Sequence, residues 1–121
     1  MHELGIVMHV IRTLEEVAEE NHVTRIGSVT LSVGEVSGVV HEQMIDCWNY
    51  FKVRKDFVRD AELRLEVIPG VTYCTACGEK YETLRYGKTC PRCGSGETYL
   101  IQGSEFSIRE IEAEQDSGDA G

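Results

Sequence analysis

The chemistry-bearing residues of this chain stand in two thiol pairs, Cys74-Thr75-Ala76-Cys77-Gly78 and Cys90-Pro91-Arg92-Cys93-Gly94. Each CxxC is a short loop with both sulfurs on one side, and two such loops facing each other supply four thiolates to one tetrahedral ion. The pattern reads as a zinc ribbon, with structural Zn2+ held by Cys74, Cys77, Cys90 and Cys93. Such a site is closed, so no chemistry at the metal is expected. Two other readings use the same residues. Four thiolates also bind iron, as in a rubredoxin-like electron carrier, and a CxxC can act as a dithiol redox pair. One metal explains both loops together, which a redox pair does not. The glycine after each second cysteine has no Cβ and lets backbone N–H groups approach the sulfurs. Between Cys77 and Cys90 the spacing predicts a hairpin that runs out along Glu79 to Leu84, turns at Arg85-Tyr86-Gly87-Lys88 and returns through Thr89.

A second candidate site is the start of the chain, Met1-His2-Glu3. An α-amine, the deprotonated amide nitrogen of His2 and its imidazole can close adjacent chelate rings on a metal that favours square-planar nitrogen ligands, such as Ni(II) or Cu(II). Glu3 can complete that set through its amide nitrogen or its carboxylate. The bland reading of His2 is a solvated side chain. The same reading applies to His9 within the first helix, His22 at its end and His41 at the start of the second, of which His41 is the best ligand candidate. Cys47, on the apolar side of the second helix, reads as a small buried hydrophobe rather than a reactive thiol.

These sites sit in a chain of 121 residues with a formal charge of −9. That length suits one modest core plus a metal-stapled insert. The basic residues are scattered, the densest group being Lys52, Arg54, Lys55 and Arg59, so no cationic stripe for nucleic acid is present. An acidic surface suits a cation or a basic protein partner instead. No membrane span or signal peptide is expected, and thiols paired for metal rather than for disulfides fit the cytoplasm. No GxSxG, HExxH or phosphate-cradling glycine loop occurs, so the chain is not expected to be an enzyme.

The elements that must position the sites follow from periodicity. Val7, Val10, Ile11, Leu14, Val17 and Ala18 recur at helical spacing across residues 4–21, with Asn21 and His22 ending that helix. From Arg25 to Gly34 the period becomes two, with Val29, Leu31 and Val33 opposite Ser28, Thr30 and Ser32, which reads as a half-buried strand. After the loop Gly34-Glu35-Val36-Ser37-Gly38 a second helix is expected over residues 41–55, burying Met44, Ile45, Trp48 and Phe51. Leu63, Leu65 and Val67 mark a second strand that stops at Ile68-Pro69-Gly70. Phe106 and Ile108 mark a third strand, and residues 113–121, acidic and glycine-containing, are expected to be disordered. The fold class is therefore α+β, a three-stranded sheet with two helices on one face. Its domains are residues 1–69 with 101–121, and an inserted zinc ribbon over 70–100.

Met-His-Glu at the start, the late four-cysteine ribbon, Gly34-Glu35-Val36-Ser37-Gly38-Val39 and Gln102-Gly103 together resemble the HypA/HybF family of hydrogenase-maturation nickel metallochaperones, over nearly the whole chain. The resemblance implies a nickel site at His2 with the Met1 amine and Glu3, and structural zinc at Cys74, Cys77, Cys90 and Cys93. It also implies delivery of nickel to a [NiFe]-hydrogenase large-subunit precursor with an accessory GTPase of the HypB type. One departure stands out. Some family members carry an acidic residue just after the Ser-Gly-Val loop, whereas here Val39 is followed by Val40, His41 and Glu42, leaving His41 or Glu42 to substitute. The rival reading, from a different class, is a zinc-ribbon interaction module acting in transcription or translation without nickel.

Overall fold

A computed structural model of the protein describes the backbone of residues 2–115 and the side chains of residues 3–114. The class is α+β. The order is α1 (His2–Glu20), β1 (Val23–Gly34), α2 (His41–Lys52), β2 (Glu62–Ile68), β3 (Val71–Cys74), β4 (Lys80–Glu82), α3 (Thr83–Tyr86), β5 (Thr98–Gln102) and β6 (Phe106–Gln115), with a 3-10 turn at Asp56–Val58. The strands form two sheets, ordered β2-β1-β6 and β4-β3-β5. Two compact units result. One comprises Met1–Leu31, Val39–Leu65 and Ile108–Gly121, the other Ser32–Gly38 and Glu66–Ser107.

In the first unit α1 and α2 pack against each other. Val7, Val10 and Leu14 of α1, Ile26, Val29 and Leu31 of β1, and Met44 and Trp48 of α2 are all buried. Helical spacing puts the α1 set and the α2 set each on one side of its helix, and Val29 and Leu31, two residues apart, share one face of β1. The indole Nε1 of Trp48 donates to the Ala61 carbonyl at 2.8 Å, which satisfies its one polar atom inside the core. Helix α1 begins at His2, earlier than residue 4. It stops where His22 takes a left-handed conformation, φ 56°, after the Asn21 amide and side chain both donate to the Val17 carbonyl at 3.0 and 2.9 Å. A left-handed residue ends a helix by turning the chain off its axis.

Several expectations require correction. Strand β1 is not half-buried, because Ser28, Thr30 and Ser32 are buried as well as Val29, Leu31 and Val33. It is the central strand, and Ser28 is covered by Glu112, whose carboxylate accepts its hydroxyl. Glu112 also takes Arg64 Nη1 at 3.2 Å; the Ser28 hydroxyl first and Arg64 second hold its carboxyl below the usual range. Helix α2 ends at Lys52 rather than 55. Ile45 is 38 % exposed, because the buried stripe runs through Met44 and Trp48 and the next residue after Met44 turns about 100° away. Ala113–Gln115 belong to β6 rather than to a disordered tail; the Thr24 hydroxyl donates to the Glu114 carbonyl at 3.3 Å. Residues 116–121 lie outside the described residues.

The second unit also departs from the hairpin expected between Cys77 and Cys90. Strand β4 is followed by the helical turn α3 and by Gly87 at φ 64°, and no strand returns through Thr89. The partner of β4 is β3, antiparallel, with Thr72 opposite Tyr81. On its other side β3 pairs antiparallel with β5, with a bulge where Val71 faces Gln102 and Thr72 faces Leu100. The four-residue strand β3 is too short and too polar to stand out by periodicity, so the sequence expectation missed it. Three chain passages meet at glycines in this unit. A methyl group on Gly34 would overlap the Gly103 carbonyl, and one on Gly103, at φ 118°, would lie 2.5 Å from Gly70 Cα. Around them Val36 donates to the Gly103 carbonyl at 2.9 Å, and the Glu35 carboxylate accepts the Gly70 amide at 2.8 Å. Only residues without a Cβ permit this approach of backbones.

Candidate metal centres

The two CxxC loops fold as matched turns. Cys74 and Cys90 are buried at the first position of each. Gly78 at φ 80° donates its amide to the Cys74 carbonyl at 2.8 Å, and Gly94 at φ 76° donates to the Cys90 carbonyl at 2.9 Å. The left-handed glycine turns the following amide back onto the sulfur, so that Glu79 N–H reaches Cys77 and Ser95 N–H reaches Cys93. All four Sγ atoms lie within 4.8 Å of one another. The close pairs run between loops, Cys74 to Cys93 and Cys77 to Cys90, each at 3.6 Å. Four sulfurs at about 2.3 Å from a tetrahedral ion stand about 3.8 Å apart, so the donor set fits a four-coordinate metal. The cluster is one site rather than two separate thiol pairs.

The thiols of this cluster respond to each other. The Glu79 amide pulls the Cys77 thiol down, but burial and the hydrogen bonds to Cys90, Cys93 and Cys74 win and push it up to about 12. Burial raises Cys90, yet the amides of Cys93 and Arg92, with Cys77 and Cys93, bring it down to about 7. Cys90 is thus ready to ionise while Cys77 and Cys93 are pushed toward holding their protons, which is how adjacent thiols divide charge until a cation arrives to neutralise them.

At the chain start, Met1 lies outside the described residues, as does the side chain of His2. Glu3 is buried, at 4 % exposure, in the first turn of α1. Its Oε2 accepts the amide of Val40 at 2.8 Å. Val40 stands immediately before α2 and has no capping side chain of its own. That hydrogen bond, the largest influence on Glu3, keeps its carboxyl below the usual value. Residues 3 and 40 are thereby joined, and the start of α2 at His41 sits beside the first turn of α1. Periodicity missed this role for Glu3, since a lone carboxylate beside a histidine has no spacing signature. Cys47 is half-buried on α2 and belongs to no metal-ligand cluster among the described residues.

Comparison with known proteins places these features in a family. The family model described as "HypA: Hydrogenase/urease nickel incorporation, metallochaperone, hypA" matches residues 1–113. The hydrogenase maturation factor HypA of Albidiferax ferrireducens is 30% identical over 114 residues, covering 94% of this chain and all of that protein. The HypA of Alkalilimnicola ehrlichii is 34% identical over 116 residues, again across 94% of this chain and all of its own. The solution structure of the Ni metallochaperone HypA from Helicobacter pylori superimposes with a TM-score of 0.70 at 22% identity, covering 94% of this chain and 98% of the other, a likeness of fold. With a family match across nearly its whole length, the chain belongs to the HypA family of nickel-incorporation metallochaperones and hydrogenase maturation factors.

Proposed function

We propose that this protein carries Ni(II) as cargo at Met1, His2 and Glu3 and passes it, with a GTPase of the HypB type, to the large-subunit precursor of a [NiFe] hydrogenase in the cytoplasm. It performs no catalysis of its own. Residues 70–100 form a zinc-ribbon domain set between 1–69 and 101–121, and Zn2+ bound by Cys74, Cys77, Cys90 and Cys93 stays in place to hold that domain together. Family membership supports the nickel role.

The observation that carries the nickel reading is the first turn of α1. The helix begins at His2, and the first amides of a helix have no carbonyl partner within it. The amide nitrogens of His2 and Glu3 are therefore not consumed by helix formation and can serve a metal that takes deprotonated amides. The Glu3 carboxylate accepts both the Val40 amide and the Glu3 amide, so Glu3 joins a metal, through its amide nitrogen or its carboxylate, only by giving up one of these bonds. The bond from Val40 to Glu3 sets the start of α2 beside the first turn of α1, which supports His41 or Glu42 as the substitute for the acidic residue that some family members carry after the Ser-Gly-Val loop. The ligands must lose protons to bind, so affinity falls as pH drops and transfer is proton-linked.

Calorimetry on untagged protein tests this assignment. His2→Ala is expected to abolish nickel binding while zinc content and fold remain. Equal nickel affinity in the variant and the wild type would overturn it.

A further inference from the structure

Where α1 and α2 lie side by side, a cavity of about 320 Å³ opens with Met8, Ile11 and Phe51 as its apolar floor and Arg12, Arg54 and Lys55 around it. Glu15 is the one acidic lining residue, and it is paired with Lys55 at 3.0 Å. The Arg54 guanidinium lies 4.8 Å from the Tyr50 ring centroid and 5.2 Å from that of Phe51, and Nη2 donates to the Tyr50 hydroxyl at 2.8 Å. Those contacts hold the cation in place without neutralising it. Arg12 is exposed and has no side-chain hydrogen bond or ion pair among the described residues. The rim therefore keeps a surplus of positive charge on a chain whose formal charge is −9.

We propose that this groove docks an acidic, amphipathic peptide segment of a partner protein. Apolar side chains of the segment lie on Met8, Ile11 and Phe51, and its carboxylates meet Arg12 and Arg54, the two lining cations that no carboxylate among the described residues neutralises. Charge complementarity sets the occupant. Most of this surface repels an acidic segment, so its approach is favoured where cations are unneutralised, and that limits where it binds and in which register. A compact inorganic anion would leave the floor uncovered, including Met8 at 45 % exposure. Two parallel or antiparallel helices present a groove that suits an amphipathic helix, and methionine adapts to varied apolar partners. The groove uses none of the residues assigned to nickel or zinc, so the proposal is independent of both.

Fluorescence anisotropy with the full metal-loaded chain tests it, using a fluorescein-labelled amphipathic peptide of Leu and Glu. A scrambled peptide of the same composition, without a continuous apolar face, is the control. The amphipathic peptide is expected to bind, more weakly as salt is raised, and Arg12→Glu with Arg54→Glu should weaken it about tenfold or more. Met8→Asp should weaken it as well, whereas Arg25→Glu, outside the groove, should leave it unchanged. Circular dichroism of each variant verifies the fold. The proposal is overturned if the amphipathic peptide does not bind wild type, if the scrambled peptide binds equally well, or if Arg25→Glu weakens binding as much as the groove variants do.

Discussion

The Glu3 carboxylate and the Val40 amide, 2.8 Å apart, join the first turn of α1 to the entry of α2 across 37 residues of chain. A buried carboxylate hydrogen-bonded in this way favours its charged form. Its folded pKa lies below the ordinary 4.5, so the folded state holds fewer protons than the unfolded chain in that range. The resulting stability is complete above about pH 4.5 and is lost as pH falls through the lowered value. Glu112 titrates in the same direction. Glu3→Gln keeps an acceptor for Val40 but removes the titration, so urea unfolding from pH 6 to 3, estimated to bracket the transition, should show a shallower acid loss than wild type. Glu3→Ala should be less stable than Glu3→Gln at neutral pH. Identical pH profiles for wild type and Glu3→Gln would remove the linkage.

A methyl group on Gly34 has nowhere to go. It would overlap the Gly103 carbonyl and lie 2.6 Å from the Ser104 amide nitrogen, both of them backbone rather than flexible side chain. Gly34→Ala is expected to cost about 3 kcal/mol or more. Gly5, inside α1, has no atom within 4 Å of such a methyl. There the same change should stabilise the protein by about 0.5–1 kcal/mol through better helix propensity. Chemical denaturation of the two variants gives the comparison, and a Gly34→Ala protein as stable as wild type would contradict the close backbone approach.

Removing the metal should act on one unit. The first unit has its own core around Leu14, Leu31 and Trp48, all fully buried, whereas the cluster in the second consists of Cys74, Tyr81 and Cys90 with Cys77 packed against it. Without an ion, that cluster is three thiols and one ring, too little to order the surrounding loops. Cys74→Ser, or treatment with a strong chelator, is expected to release one equivalent of metal, by the four-ligand rule, and to raise amide exchange across β3, β4 and β5 while α1 and α2 stay protected. Hydrogen exchange with metal analysis reads both outcomes. Unchanged metal content in Cys74→Ser would exclude that residue as a ligand. Zinc leaves the protein colourless, and iron would make it red.

Much of the architecture was legible in the residues because periodic patterns report which side of an element is buried. The stripe on α1 and the stop at Pro69-Gly70 need only local geometry to interpret, whereas the alternation on β1 and β2 located the strands but not their burial, since β1 is buried on both faces and Val67 of β2 is exposed. The hairpin between the thiol pairs was misread for the opposite reason: Lys80–Glu82 is a real strand, but its partner is β3 behind it and not Thr89 ahead. Pairing between short polar strands depends on what lies across the sheet, which a local pattern does not carry. Ile45 misled in the same way, since an apolar residue in a helix is buried only if the neighbouring element lies on its side.

By itself, the sequence determined which four cysteines group in two loops able to offer sulfur to one ion, because a CxxC loop is a local structure whose reach is set by a few bonds. It also carried the family resemblance, through motifs at both ends of the chain. Tertiary structure alone decided that Cys74 meets Cys93 and Cys77 meets Cys90 at 3.6 Å, that three glycines let chain passages touch, and that Glu3 is held by Val40. It also decided that Arg12, Arg54 and Lys55, scattered in an acidic chain, line one groove. Each of these joins residues far apart in the chain, and their proximity follows from the packing of whole elements rather than from any local preference of the residues themselves.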